Sequence, residues 1–365
     1  MGSSQKSFFV FLLHVLVLHF VVLLTRAENI THAPEAIYVL GDSLVDVGNN
    51  NHIKLSIIKA DFPHNGVDYP DKKATGRFSN GKNAVDFLAE KVGLPTSPPY
   101  LQNVNQNFLK GVNFASGGAG ILNTTNDGTI HRAISLTRQV EMFGSVVQKL
   151  EKQLNTNGVH KHISNSLFVI VIGSNDMFGY FGSNSEFAKT TSPQQYVDMM
   201  ISTFQFQFKA LHMLGARKFL IVGVGVIGCC PSQRIRTKTG ECKEDINLWT
   251  TKYNQQLKVL LEQLKSTLGD INYTYFDTYG ALSKLITNPS TYGFTAPEEA
   301  CCGLGKLRAE FACLPISHYC ANRNEHIFWD LYHPTEATDR ILVDFIYNGQ
   351  QFVTPINLQQ LINST

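Results

Sequence analysis

The stretch Ala36-Ile37-Tyr38-Val39-Leu40-Gly41-Asp42-Ser43-Leu44 decides how the rest of the chain is read. Five apolar or aromatic residues run without a break into a glycine, an acid and a serine. A run this short and this continuous suits a strand buried on both faces, as in a parallel sheet. The glycine permits a tight turn after the strand, and a serine just past it can project its hydroxyl above the sheet edge.

Four more runs follow the same rule. Residues 111–115 end in Ser116-Gly117-Gly118, residues 167–172 in Gly173-Ser174-Asn175-Asp176, residues 219–226 before Gly228, and residues 273–276 before Asp277. Longer amphipathic stretches separate them and predict helices over 84–92, 137–154, 193–214 and 245–268; Val140, Phe143, Val146, Val147 and Leu150 keep helical spacing in the second. A last helix is expected from Pro334, a favoured first helical residue, to about Tyr347. The alternation predicts an α/β domain with a central five-stranded parallel sheet covered by helices. The strand ends rich in glycine and polar residues mark the carboxyl edge, where open parallel sheets bind ligands.

That edge holds the parts of an acyl-transfer site. A serine hydroxyl is a weak nucleophile at neutral pH and needs a neutral imidazole to take its proton, held in one tautomer by a carboxylate. The stretch Phe328-Trp329-Asp330-Leu331-Tyr332-His333-Pro334-Thr335 offers both groups, with Asp330 three residues before His333 and Pro334 limiting how far the base can drift. Such a site also needs donors aimed at the developing oxyanion. The side-chain amide of Asn175 is one candidate, and Gly117-Gly118 lets backbone N–H groups come close to a ligand. Each feature has a plainer reading by itself: Ser43 as a turn residue, Asn175-Asp176 as a helix cap, the glycines as a turn, His333 as a surface residue. Their concurrence at strand ends argues for chemistry.

At this point the chain resembles a known family. Gly41-Asp42-Ser43-Leu44, the glycine-rich stretch 111–120, Gly173-Ser174-Asn175-Asp176 and Asp330-Leu331-Tyr332-His333-Pro334-Thr335 are similar to the ordered blocks of plant GDSL esterases/lipases of the SGNH hydrolase superfamily. The likeness spans roughly residues 36 to 347. It implies a flavodoxin-like three-layer α/β/α sandwich and ester hydrolysis, with no cofactor and no metal. It implies Ser43 as nucleophile, His333 as base and Asp330 as its partner. It implies an oxyanion hole from the Ser43 N–H, the Asn175 side chain and a glycine N–H at Gly118, with Gly117 as the alternative one residue away. Met177 stands where many relatives carry tyrosine, and a substrate contact is expected there. The pairs Cys229-Cys230-Pro231 and Cys301-Cys302-Gly303 also resemble plant members and read as structural.

Composition sets the compartment. Of 365 residues, 43% are hydrophobic and 16% charged, enough apolar material for a sizeable core and too little charge for disorder. Residues 8–24 form an apolar run broken only by His14 and His19, behind a short n-region with Lys6 and ahead of Thr25-Arg26-Ala27. This predicts a secretory signal peptide over residues 1–27, with one domain in 28–365. An uncleaved membrane anchor needs a somewhat longer run, so no stable membrane insertion is expected after removal. The segment takes away Lys6 and Arg26 and no acid, leaving 29 basic and 29 acidic residues. No basic cluster tracks phosphates, so nucleic acid is not an expected partner; a small-molecule or lipid ester and a monomeric chain are. All seven cysteines lie beyond residue 228, none in a CxxC pair. Disulfides with one thiol left over are expected: Cys229 or Cys230 onto Cys242, and one or two bridges among Cys301, Cys302, Cys313 and Cys320. Sequons at Asn29, Asn123, Asn272 and Asn363 are candidate N-glycosylation sites.

Rival readings fare worse. An α/β-hydrolase carries its nucleophile in Gly-x-Ser-x-Gly, which this chain lacks. No His-Glu-x-x-His cluster supports a metal hydrolase, and His160 and His162, flanking Lys161, read as solvated surface. An acyltransferase would use the same three side chains. A non-catalytic glycoprotein binding wall polysaccharide or lipid would have no reason to keep them together. The aromatic-bearing region 51–77, with Phe62, Pro63 and Tyr69, and Phe78 next to it, is expected to rim the pocket.

Overall fold

A computed structural model describes residues 33–102, 107–128, 131–182 and 185–364. The predicted signal peptide and the sequon at Asn29 lie outside the described residues.

The five apolar runs form strands β1 (Ile37–Gly41), β2 (Gly111–Asn113), β3 (Leu167–Val171), β4 (Lys218–Val222) and β5 (Asn272–Phe276). All neighbouring pairs among them are parallel, in the order β5-β4-β3-β1-β2, the doubly wound order of flavodoxin-like sheets. The five-stranded expectation needs one correction. A sixth strand, β6 (Val353–Pro355), adds antiparallel to the β5 edge. It is three residues long and half exposed, so it carries no buried-strand pattern, and Pro355 sits where an edge strand tolerates it.

The principal helices, apart from short ones at Glu186–Thr190, Pro231–Arg234 and Leu358–Asn363, are α1 (Ala84–Val92), α2 (Leu136–Ser164), α3 (Ser174–Tyr180), α4 (Pro193–Met213), α5 (Glu244–Leu268), α6 (Thr278–Thr287) and α7 (Glu336–Asn348). α1 packs against α7, while α4 packs against both α2 and α5. Right-handed crossovers put these two groups on opposite faces of the sheet, giving three layers. The predicted end of α2 at residue 154 is a real break: Asn155 has φ 59° and ψ 173°, and helix resumes beyond it. α7 begins at Glu336, two residues after Pro334, because the Thr335 side chain accepts the Thr338 N–H and caps it. Pro334 instead bridges to Phe328.

The core is apolar on both faces of the sheet. Tyr38, fully buried in β1, packs on Phe143 of α2 and Phe168 of β3, with ring centres 5.0 and 5.2 Å apart. Its hydroxyl hydrogen-bonds the Nε2 of His162 at 3.2 Å. His162 is thus buried, contrary to the expectation of solvated surface; the helix turns it inward while His160 stays exposed. Among the described residues no helix is long and apolar enough to cross a membrane.

Three disulfides form, Cys229–Cys242, Cys301–Cys320 and Cys302–Cys313, and Cys230 is free. Asn123 and Asn363 are exposed, while Asn272 lies half-buried in β5 and accepts from Lys265 at 3.0 Å.

Candidate active site

Ser43 stands two residues beyond the end of β1, in a turn built from its neighbours. The Asp42 carboxylate accepts the Leu44 N–H at 3.0 Å, and the Asp42 carbonyl accepts the Asp46 N–H at 3.0 Å. Gly41 before it leaves no room for a side chain: a Cβ there would come within 2.4 Å of the Val171 carbonyl oxygen. Burial pushes the Asp42 carboxyl up to about 7, against the opposing pull of the Leu44 N–H and His333.

The loops after β1 and β2 are bolted together by a buried polar bracket that the sequence reading missed. The Asp46 carboxylate accepts the N–H groups of Gly48 and Asn49, each at 2.7 Å, and that of Gly117 at 3.0 Å. Asn49 donates to the carbonyls of Asn113 and Ala115, both at 2.8 Å, and Asn50 donates to Gly117 at 2.8 Å. The available signal was a run of Asp, Gly and Asn, 46–50, directly after a buried strand. Nothing in it names a partner some 65 residues away.

The bracket also separates the two glycines. The Gly117 N–H is spent on Asp46, whereas the Gly118 N–H has no acceptor among the described residues. Gly118 lines the cavity in front of Ser43, with φ +82°, a backbone state that side chains disfavour. Asn175, at the start of α3, lines the same cavity and donates one amide hydrogen to the Ala119 carbonyl at 3.0 Å. An amide carries two such hydrogens, so one remains for a ligand. The Ser43 N–H likewise meets no acceptor among the described residues.

Asp176 is not the helix cap its plainer reading suggests. Fully buried, it accepts the N–H groups of Ile121 and Leu122 at 2.9 and 3.0 Å and the Thr125 hydroxyl at 2.7 Å, so it ties the β2 loop to α3. Burial raises its carboxyl to about 6. Met177 beside it is fully buried in the core and does not line the cavity. The expected substrate contact at Met177 is therefore absent: the helix turns this residue away from the mouth.

The third component arrives from the far end of the chain. His333 Nε2 lies 2.8 Å from Ser43 Oγ, across 290 residues, and its Nδ1 lies 2.8 and 2.9 Å from the two oxygens of Asp330. Asp330 also accepts the N–H groups of Tyr332 and His333, both at 2.9 Å. Burial alone would raise its carboxyl, but His333 and these donors outweigh burial and hold it below the ordinary carboxylate range. The loop is clamped from behind. Trp329, fully buried, donates its backbone N–H to the His333 carbonyl at 2.7 Å and its ring N–H to Asn65 at 3.0 Å. Phe78 lies over the His333 ring, centre to centre 5.0 Å.

These groups open into a cavity of about 790 Å³. Phe62 and Phe78 line it, as the rim expectation has it, but Pro63 and Tyr69 do not; the Tyr69 ring is covered by the Arg77 guanidinium, 4.8 Å away. Cys230 also borders the cavity. Its thiol is buried and pushed up to about 12, which makes it a poor nucleophile.

The family model for GDSL-like lipase/acylhydrolase matches residues 37–346. The chain belongs to this family. A GDSL esterase/lipase of Arabidopsis thaliana is 48% identical over 340 residues, covering 90% of each chain, and another from the same plant is 37% identical, covering 86% of this chain and 88% of its own. Among solved structures, a catalytic mutant of an acetylxylan esterase from Geobacillus stearothermophilus aligns at TM-score 0.38 and 14% identity, over 86% of this chain and 94% of that one. That overlap is too loose to bear on the site. In this GDSL-family chain every family block quoted from the sequence ends at the carboxyl edge of the sheet or in the loop before α7.

Proposed function

We propose that this chain is a secreted serine esterase that cleaves carboxylic esters through an acyl-enzyme on Ser43. His333 takes the hydroxyl proton as Ser43 Oγ attacks the ester carbonyl, and Asp330 holds the ring in the tautomer that leaves Nε2 free to accept. The Ser43 and Gly118 N–H groups and the spare Asn175 hydrogen face the developing oxyanion. His333 then passes its proton to the departing alcohol. Water, deprotonated by the same imidazole, attacks the acyl-serine and releases the acid, which restores Ser43.

The 2.8 Å approach of His333 Nε2 to Ser43 Oγ carries this reading, because no structural purpose needs an imidazole there with a carboxylate behind it. Family membership points the same way, since the relatives are named esterases/lipases. An aromatic and aliphatic cavity wall suits an acyl chain or aryl group. Three disulfides and the apolar segment at residues 8–24 support passage through an oxidising secretory route.

The test is labelling by a fluorophosphonate probe together with hydrolysis of p-nitrophenyl esters, in wild type and Ser43→Ala. Label and turnover in wild type, both lost in the variant, are expected. A folded wild type that takes no label rejects the mechanism. Secretion is checked separately by sequencing the N-terminus of protein recovered outside the cell, with Glu28 expected first.

A further inference from the structure

The cavity does not stop at the reacting groups. It continues under α7, where Leu342 and Ile346 from one face of that helix join Leu88 of α1 and Leu282 of α6 in an apolar wall. The same face of α7 contributes Asp339, three residues before Leu342. Asp339 is only 4% exposed. No hydrogen-bond donor among the described residues reaches its carboxyl, and the two charges that act on it are acids, Asp86 and Glu336. Both of those have partners of their own: Asp86 pairs with Arg77 at 2.7 Å, and Glu336 with Arg340 at 3.1 Å. Burial, then the two acids, raise the Asp339 carboxyl well above its ordinary value and so favour its protonated form, which offers both a donor and an acceptor.

A buried polar group with no partner costs stability. Here the group borders the space into which a ligand extends, along a wall that is otherwise mainly apolar, formed by Leu88, Leu282, Leu342 and Ile346 with the rings of Phe276 and Phe328, and with the Thr278 hydroxyl as a second polar group lacking a partner among the described residues. An aliphatic residue would fit the wall better unless the ligand brings a polar group to that depth.

We propose that Asp339 is a specificity-determining residue that hydrogen-bonds a hydroxyl carried on the acyl chain, so that hydroxylated long-chain acyl esters are favoured over plain ones. This rests on the esterase reading of the same cavity. Covalent chemistry stays at Ser43; Asp339 acts on how the chain is held.

The experiment compares a positional series of long-chain monohydroxy acyl p-nitrophenyl esters with the plain ester of equal length. Wild type, Asp339→Leu and Asp339→Asn are assayed, each at a concentration of active sites fixed by fluorophosphonate titration. At one or more hydroxyl positions, wild type should prefer the hydroxylated ester by about tenfold in kcat/KM. Asp339→Leu should bring that ratio to about one, and Asp339→Asn, which keeps a donor and an acceptor, should retain most of it. A wild-type ratio near one at every position, or a preference that survives Asp339→Leu, overturns the proposal. Replacing an unpartnered acid in an apolar wall does not threaten folding, and Asp339→Asn covers the case in which leucine does. A wild type that turns over no ester sinks the esterase reading instead. Asp339 is then decided by calorimetric binding of the hydroxylated and plain free acids to Ser43→Ala, with and without Asp339→Leu.

Discussion

Gln139 of α2 grips both backbone polar groups of Gly41: its Oε1 accepts the Gly41 N–H at 2.8 Å and its Nε2 donates to the Gly41 carbonyl at 2.8 Å. Gly41 is the last residue of β1, two before the nucleophile candidate, so a fully buried side chain fixes the platform on which Ser43 sits. Gln139→Ala leaves the buried Gly41 N–H without a partner, at roughly 1–3 kcal/mol, while the Gly41 carbonyl keeps only the Ser116 N–H at 3.1 Å. A clear loss of melting temperature is expected, with a fall in kcat larger than any change in KM, read by calorimetry and steady-state kinetics. A variant as stable and as active as wild type would show that the β1 end holds its shape unaided.

Asp330→Asn separates orientation from folding. An asparagine oxygen still accepts the N–H groups of Tyr332 and His333, so the loop keeps its turn. Its amide can also donate to Nδ1, which selects the tautomer that leaves Nε2 protonated and unable to accept from Ser43. Turnover should fall on the order of 10³–10⁴-fold with little change in melting temperature. Retention of more than about a tenth of wild-type kcat would mean that Asp330 does not set the tautomer.

Much of this architecture was legible because it depends on local pattern. Continuous apolar runs placed all five parallel strands, and helical spacing placed α1, α4 and α5 to within a residue. What escaped depends on partners distant in sequence. β6 exists only because β5 has an open edge to pair with. His162 is buried only because its side of α2 faces β1, where the Tyr38 hydroxyl meets its ring. The choice of Cys229 over Cys230 for Cys242 turns on which of two adjacent side chains faces the loop. At the site, the three groups that the fold brings within hydrogen-bonding distance, Ser43, Asp330 and His333, were legible as residue types in suggestive turns. The Asp46 and Asp176 anchors were not, because each serves loops 50 or more residues away.

Asn175 and Gly118 are expected to differ in how they fail. Asn175→Ala removes one proposed oxyanion donor and one tie to the Ala119 carbonyl, so turnover should drop on the order of 100-fold or more with a modest change in KM. An unchanged rate removes Asn175 from the site. Gly118→Ala keeps the N–H but puts a Cβ 2.6 Å from Ile58 at positive φ. It should therefore lower stability through backbone strain as well as turnover, whereas Asn175→Ala should lower the melting temperature only by the one hydrogen bond lost to the Ala119 carbonyl.

Stability should decline as pH rises through the mildly acidic range. Asp42, Asp46 and Asp176 have folded pKa values of about 7, about 6 and about 6 against an ordinary 3.8, all raised chiefly by burial. A carboxyl whose folded pKa is the higher one holds its proton more tightly in the native state. Its contribution is thus fully present below the unfolded value and is lost as pH climbs to the folded one. Asp339, whose carboxyl burial also raises, acts in the same sense. Asp330, held below its ordinary value, opposes them only in more acidic solution, where protonating it weakens the fold. The melting temperature should accordingly fall between about pH 4 and pH 7, and Asp42→Asn should flatten part of that slope. Calorimetry across this window decides it: a melting temperature that stays level or climbs toward neutrality would mean these carboxyls are ionised in the fold and matched by donors, with the Asp46 N–H cluster as the first place to look.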